Sequence, residues 1–309
     1  MIESLFNPKM IREKATKRWE IFIAGFIFTV VAVLFAINVI PPVSGVTGLG
    51  FLIVAFICIP AAPFFVQLFK IEEKEEFEKC KYKVFSKNLF TRHLDVIGVF
   101  AFFFLAIVFA SSLIYVVVPE ETSNNMFSDQ VSDLRTKGVL TGEATGAFHA
   151  GESESNGESI LTGASFGLGE IILNNFTVLS LAFLFSFVFG AGAVFLISWN
   201  ASIIGVLIGK IAENPGPLGL IDTGNIFTNY LIALPVTILR LLPHGIFEFG
   251  AYFIGAVAGG VLSAGVIQES IKERRTNFKH LKPVIIDSCV YLGIAFGLVI
   301  MGAIVEILI

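Results

Sequence analysis

Residues 96–118 read VIGVFAFFFLAIVFASSLIYVVV, a run that contains no charged side chain. A membrane-spanning helix needs about 20 mostly apolar residues to cross the hydrocarbon layer. The centre of the run, FFFLAIVF at 102–109, does not alternate between apolar and polar positions as a barrel strand would. Because backbone groups in lipid must find their hydrogen bonds within their own segment, the run predicts a transmembrane α-helix.

Uncharged stretches of this kind occur seven times along the chain, at residues 21–40, 46–69, 96–118, 171–200, 223–239, 249–268 and 288–305. Of the 309 residues, 55% are hydrophobic and 15% are charged, and the mean hydropathy is +0.83. A soluble domain carries roughly 25% charged residues. The sequence therefore predicts an all-α, polytopic transmembrane helical bundle with about seven spans.

The fourth stretch is too long to cross a bilayer once. No charge occurs between Glu170 and Lys210, and a helix of that length would run about 58 Å. We expect this helix to break near Ser198-Trp199-Asn200. Residues 201–209 would then form a re-entrant or interfacial half-helix, buried against protein because lipid does not tolerate its open end.

Lys and Arg residues gather in three clusters, at 9–18, 70–92 and 272–282. Two predicted spans separate the first two clusters and four separate the last two, so all three lie on one side of the membrane. The positive-inside rule makes that side the cytoplasm. Lys210 is predicted on the same side, and the other side holds Arg135, Lys137 and Arg240. The sequence thus predicts a multi-pass protein of the cell membrane with a cytoplasmic N-terminus and an external C-terminus.

Two regions are expected. Residues 1–93 would comprise an N-terminal interfacial segment, a transmembrane hairpin and a cytoplasmic amphipathic helix at 70–93, for which a solvated connector is the alternative. Residues 94–309 would form a five-span core. Its longest polar segment, at 119–158, is rich in Ser, Gly, Glu, Asn and Thr and poor in aromatic residues. That composition predicts a mobile external loop.

The strongest candidate site is the segment LPHGIFE at 242–248. His244 and Glu248 are four residues apart and would share a helix face near the outer end of the sixth span. An ionisable residue inside a span is expensive and marks a site by default. Arg240, at the outer end of the fifth span, is the expected partner of Glu248.

Three interpretations of this segment stay open. The residues pin a hairpin between the fifth and sixth spans, or they form a polar site for an ion or small molecule, or they bind a metal. A metal needs a third ligand, and only Glu170, Glu306 or the outer loop offers one on that side. His-x-x-x-Glu alone is a weak metal signal, and we expect no metal site, no cofactor and no catalytic residue.

Small and amide residues suggest how the helices pack. Close approach of helices is indicated by a small residue at every fourth position, as in Ala251, Gly255, Gly259 and Ser263, and again in Gly293 and Gly297. Such faces serve either packing within the chain or a subunit interface. We expect the side-chain amides of Asn174, Asn175 and Asn200 to bond free backbone groups where a helix starts or breaks.

Other function classes are disfavoured. The net charge of −4 gives no basic field for nucleic acid. Cys58, Cys80 and Cys289 lie far apart, without the spacing of a disulfide framework or a thiolate metal site. The pattern G-x-S-x-G occurs around Ser165, but a nucleophile elbow needs a preceding strand that the sequence lacks. An intramembrane pair of Ser165 with His244 is the remaining route to a hydrolase.

The last two-thirds of the chain, about residues 95–309, resembles the stage II sporulation protein M family. The resemblance is carried by Asn174-Asn175 at the start of a long span, Gly190-Ala191-Gly192 within it, Asn200 after it, and above all Leu242-Pro243-His244-Gly245-x-x-Glu248 followed by Gly255 and Gly259-Gly260. Two features depart from the family pattern. The N-terminal hairpin is additional, and Ala201 stands where glycine is expected.

The resemblance implies a five-span core with an external loop after its first span. In endospore formers it implies a scaffold that recruits peptidoglycan-degrading partners during engulfment, although the family also occurs where no spores form. We expect a non-catalytic scaffold or assembly component in envelope or membrane remodelling. Its partners would be the lipid bilayer, other membrane proteins and possible further copies of itself. The alternative is a transporter or channel-like carrier that uses Arg240, His244 and Glu248, and a membrane-embedded hydrolase ranks third.

Overall fold

Nine α-helices and a short 3-10 turn at Gly216–Leu218 make up almost all of the computed structural model, which describes residues 17–39, 48–80, 94–136, 168–272 and 281–308. Ser165 and its motif, and the segment 81–93, lie outside these residues. In chain order the helices are α1 Arg18–Val39, α2 Leu49–Cys80, α3 Leu94–Val117, α4 Glu120–Met126, α5 Ser128–Thr136, α6 Leu168–Phe189, α7 Ala193–Glu213, α8 Ile226–Lys272 and α9 Leu281–Leu308.

Seven helices are long and apolar enough to span a membrane, which confirms the predicted fold class and number of spans. The spans are Arg18–Val39, Leu49–Ile71, Leu94–Val117, Leu168–Phe189, Ala193–Glu213, Ile226–Ile267 and Val284–Leu308. The boundaries of the spans differ from the prediction in two places. The predicted span 171–200 is divided between two helices, and the predicted spans 223–239 and 249–268 form a single helix.

The long fourth stretch breaks at Gly190-Ala191-Gly192 and not at Ser198-Trp199-Asn200. Gly190 has φ of 71°, a left-handed conformation that favours glycine. A Cβ on Gly192 would lie 2.4 Å from the carbonyl oxygen of Phe185, so this turn leaves no room for a side chain at that position. After the turn α7 continues to Glu213, and the predicted half-helix at 201–209 is the second half of a full-length helix.

The predicted hairpin between residues 239 and 249 is absent, because α8 runs without interruption from Ile226 to Lys272. Its 42-residue apolar part would extend about 63 Å, twice the thickness of a hydrocarbon layer of about 30 Å. Pro235 and Pro243 lie inside it. Prolines are tolerated in membrane helices where neighbouring helices and side chains compensate for the lost backbone hydrogen bonds.

The contacts of α8 with α3 indicate where its extra length goes. Tyr230 is hydrogen-bonded to Ser112 at 3.0 Å, and the ring of Phe249 lies 4.6 Å from that of Phe104. Tyr230 and Phe249 are about 28 Å apart along α8, whereas Ser112 and Phe104 are only about 12 Å apart along α3. The first part of α8, residues 226–242, is therefore steeply inclined to α3.

The second part of α8, residues 243–272, follows the bundle. Phe249 contacts Phe104, and four residues later on α8 Phe253 stacks on Phe100. Phe100 lies four residues before Phe104 on α3. The two helices are thus antiparallel and in step over this stretch. We call residues 226–242 the inclined arm and residues 243–272 the crossing arm, and Pro243 lies where they meet.

The contacts also define two ends of the bundle. At one end Arg18 pairs with Asp95 at 3.7 Å, and Phe69 lies close to Phe100. We call this the basic end, because the clusters at 9–18, 70–92 and 272–282 adjoin it in sequence. Lys210 lies at the far end, with its ammonium 5.8 Å from the ring centre of Tyr115. The prediction that placed Lys210 with the three clusters is therefore wrong, since it assumed that α7 ended before crossing back.

The start of the segment predicted as a mobile loop is folded. Helices α4 and α5 pack onto the far end of α2, α3 and α7, and they bury Met126, Phe127, Gln130, Val131 and Leu134. A few apolar residues are enough to anchor this segment, because they lie along one face of the two short helices. The rest of the segment, 137–158, lies outside the described residues. On the basic end α2 extends as one helix to Cys80, so residues 70–80 of the interfacial helix predicted at 70–93 continue α2. The rest of that predicted helix, 81–93, lies outside the described residues.

Candidate functional site

The motif Pro243-His244-Gly245-x-x-Glu248 lies inside α8, at the start of the crossing arm. Here α9 approaches closely, because Gly302 has no side chain. A Cβ on Gly302 would lie 2.9 Å from Cγ of Glu248 and 3.4 Å from the carbonyl oxygen of His244. The motif therefore lies against α9, and it is not the tip of a hairpin.

Glu248 is buried, with 9% of its surface exposed. Its Oε1 accepts a hydrogen bond of 2.5 Å from the Asn175 side-chain amide on α6. The Asn175 side-chain oxygen in turn accepts a bond of 2.7 Å from the Tyr252 hydroxyl, one helical turn after Glu248, and a longer bond of 3.3 Å from the side-chain amide of Asn174. Asn175 thus links α6 to α8.

Glu306 of α9 completes this arrangement. It lies four residues after Gly302 on the same face of α9, so its carboxyl group adjoins that of Glu248. The residues Asn175, Glu248, Tyr252 and Glu306 form what we call the carboxyl cluster. Burying a charged group costs free energy unless it is paired, so two adjoining carboxyl groups in a helical bundle mark an unusual place in this protein.

Arg240 is not the partner of Glu248. It lies on the inclined arm, is exposed, and donates a hydrogen bond of 3.3 Å to the backbone carbonyl of Leu218. The expected pair presupposed a hairpin, whereas eight residues of continuous helix hold the two Cα atoms about 12 Å apart. His244 is half-buried beside Glu248, and the described residues show no ion pair between them.

The amide residues do not mark helix ends as predicted. Asn175 lies two turns inside α6 and is 5% exposed. Asn200 lies inside α7, and its side-chain amide donates to the carbonyl of Leu196 at 2.8 Å. Sequence reasoning named Glu306 only as a possible metal ligand and missed Tyr252. A tyrosine four residues after an intramembrane glutamate was the available signal.

The structure holds no group of three His, Cys, Asp or Glu side chains that could bind a metal, as far as the described ranges extend. Within those ranges the carboxyl cluster combines two carboxyl groups, an amide and a phenol. These groups can accept a proton or pass hydrogen bonds between helices.

The two small-residue faces have different surroundings. Ala251 is fully buried, a Cβ on Gly255 would lie 2.4 Å from Leu179, and one on Gly259 would lie 2.3 Å from the carbonyl oxygen of Phe183. This face, which Ser263 continues at 4% exposure, packs against α6 within the chain. On α9, Cβ atoms on Gly293 and Gly297 would meet no atom within 4 Å. Cys289, Gly293 and Gly297 are exposed at four-residue spacing, and we call them the open face of α9.

Comparison with known proteins gives a match over most of the chain. The family model described as Stage II sporulation protein M matches residues 21–309, and so includes α1 and α2 beyond the region that resembled the family. An uncharacterized protein of Methanocaldococcus jannaschii is 35% identical over 94 residues, which are 30% of this chain and 44% of that relative. The chain thus spans less than half of the relative's length. No solved structure matches the chain.

Proposed function

Because this multi-pass membrane protein belongs to the Stage II sporulation protein M family, we propose that it is a non-catalytic scaffold that gathers membrane proteins, including copies of itself. In endospore formers the family resemblance implies recruitment of peptidoglycan-degrading partners. The observation that carries the proposal is the open face of α9. Glycines at four-residue spacing let two helix backbones approach closely, which drives helix association in lipid.

The contrast between the two glycine faces supports this assignment. The face of α8 that contains Gly255 and Gly259 is already occupied by α6. The open face of α9 has the same spacing, and within the described part of the chain nothing covers it. A second helix packed there would bury backbone surface that no described residue covers.

The proposed orientation follows from charge. The three Lys and Arg clusters hold 17 of the 21 basic residues, and the remaining four are Arg135, Lys137, Lys210 and Arg240. With seven crossings the basic end would face the cytoplasm, and the C-terminus would lie outside the cell membrane. With Lys210 at the far end, the basic residues are still divided 17 to four between the two sides.

Cys289 provides a direct test of self-association. In a Cys58→Ser, Cys80→Ser background, mild oxidation of native membranes should link Cys289 of two copies. Gly293→Leu and Gly297→Leu should each reduce the linked fraction several-fold, because a bulky side chain separates the helices. Gly169→Leu is the matched control, since a Cβ on Gly169 also meets no atom within 4 Å.

If no Cys289 link forms, or if it forms equally in both leucine variants, the open face of α9 does not support self-association. A separate result bears on the non-catalytic part of the proposal. Robust hydrolytic turnover by the purified protein, lost on replacing His244 or Ser165, would replace the scaffold with an enzyme.

A carrier is the second candidate, and the carboxyl cluster inside the bundle is the observation that favours it. Buried carboxyl groups occur on ion and proton pathways in transporters. The test is substrate or ion flux in proteoliposomes. Flux that is unchanged by Glu248→Gln would exclude a pathway through this cluster, and flux abolished by that substitution would favour the carrier over the scaffold.

A further inference from the structure

We propose that one proton, shared between the carboxyl groups of Glu248 and Glu306, holds α9 against the crossing arm of α8, so that the docking of α9 depends on pH. This inference goes beyond the proposed scaffold and does not depend on self-association. It makes the last helix of the chain the proton-sensitive element of the bundle.

The first step of the argument is the contact itself. Glu248 and Glu306 come from different helices, and Glu306 lies one turn after Gly302, on the face of α9 that contacts Glu248, so the two carboxyl groups adjoin. Gly302, one turn before Glu306, allows this approach, because a Cβ there would lie 2.9 Å from Cγ of Glu248. The helices are therefore brought together at the position where the two acids meet.

The second step is the supply of hydrogen-bond donors. The side-chain amide of Asn175 donates to Glu248, and the Tyr252 hydroxyl donates to Asn175. Neither bond connects Glu248 to Glu306. A carboxylate ion only accepts hydrogen bonds, so two carboxyl groups can be joined directly only when one of them carries a proton.

The third step is the search for a compensating positive charge on each helix around the cluster. From α6 the nearby polar groups are Asn174, Asn175 and, in the first turn, the acidic Glu170. From α8 they are Tyr252 and His244, which forms no ion pair with Glu248 among the described residues. From α9 the only acid or base described near the cluster is Glu306 itself.

Two of the basic residues on this side of the bundle are engaged elsewhere. Arg240 donates to Leu218, and Lys210 pairs with Glu213 at 3.1 Å. Within the described ranges no ion pair joins Glu248 or Glu306 to a basic side chain, so a proton is the simplest neutralising partner. Loss of that proton at high pH leaves two adjacent carboxylates, whose repulsion would push α9 away from α8.

The test uses the full-length protein in detergent, with thermal unfolding followed from about pH 5 to about pH 9, a range in which isolated carboxyl groups are already charged. The wild-type melting temperature should fall by at least about 3 °C as the pH rises. Glu306→Gln should remove this fall, because a neutral amide keeps a hydrogen bond to Glu248 without a titrating proton. Glu121→Gln, which alters an exposed acid on α4, should keep the wild-type profile.

A second measurement does not depend on stability. Infrared difference spectra between neutral and high pH should show the loss of a protonated carboxyl C=O band in the wild type and no such change in the double variant Glu248→Gln, Glu306→Gln. Identical pH profiles in wild type and Glu306→Gln, or a wild type without that band, would overturn the proposal. Stability that follows sodium concentration instead of pH would also overturn it, since a bound cation would then neutralise the pair.

Discussion

The carboxylate of Asp129 on α5 accepts a hydrogen bond of 2.9 Å from the backbone N–H of Gly50, 79 residues earlier in the chain. It also accepts one of 3.1 Å from Gly48, so a single side chain caps the N-terminus of α2. The first N–H groups of a helix have no partner within the helix, and negative charge is favoured at that end. This contact fixes the outer helices α4 and α5 to the membrane-spanning bundle.

Removal of this cap should destabilise the protein. We expect Asp129→Ala to lower the free energy of unfolding by about 1–2 kcal/mol, because two backbone donors at the start of α2 lose their acceptor. Thermal unfolding in detergent should show a melting temperature lower by roughly 3–6 °C. Glu121→Ala, which changes an exposed acid in the first turn of α4, is the control. Equal melting temperatures for the two variants would contradict the capping role.

The occupied glycine face should tolerate no added atom. In Gly259→Ala the new Cβ would lie 2.3 Å from the backbone oxygen of Phe183, which cannot move without shifting α6. We expect a loss of about 1–3 kcal/mol from this overpacking. Gly293→Ala on the open face is the matched control, and its Cβ meets no atom within 4 Å. A Gly259→Ala protein as stable as Gly293→Ala would show that α6 and α8 do not pack so closely.

The two ends of the bundle should be distinguishable in intact cells. In a background without native cysteines, Asp222→Cys should react with a membrane-impermeant maleimide added from outside, because it precedes α8 at the far end. Lys282→Cys, near the start of α9 at the basic end, should react only after permeabilisation. Both positions are exposed, so accessibility to the reagent depends on the side of the membrane. Labelling of both positions in intact cells would contradict the seven-span topology.

The turn before α8 should loosen in acid. The hydrogen bond from the side-chain amide of Asn229, followed by that from the backbone N–H of Gly224, lowers the pKa of Asp222 from its ordinary value of 3.8. The charged form is therefore favoured in the folded state. Its contribution to stability is present above pH 3.8 and is lost as the pH falls below 3.8, through the lowered pKa.

Hydrogen exchange at the amide of Gly224 checks this prediction. After correction for the intrinsic pH dependence, protection should decrease below pH 3.8 in the wild type. Asp222→Asn should show the same protection across that range, because its side chain does not titrate. A wild-type protection factor that is independent of pH would contradict the assigned role of Asp222.

Much of the architecture was predictable because it rests on local and additive properties. Span length and hydropathy identified seven membrane-crossing segments, and the structure contains seven. Prediction failed where a local rule competed with tertiary contacts. Pro243 after a charged Arg240 resembles the start of a new helix, yet α8 continues through it and packs against α9 and α6.

The candidate site was predictable only in part. His244 and Glu248 stood out as ionisable residues within an apolar segment, which is a property of the sequence. Their partners did not, because Asn175 lies 73 positions from Glu248 and an amide there is equally consistent with a helix end.

The sequence by itself determined that hydrocarbon surrounds most of this chain, because the free energy of transferring each segment into lipid depends on its own side chains. Only the tertiary structure decided that the chain turns at Gly190, that α5 caps α2 through Asp129, and that Glu248 meets Glu306. Each of these depends on how closely two backbones can approach. That distance is set by the helices on both sides of a contact, and no single segment encodes it.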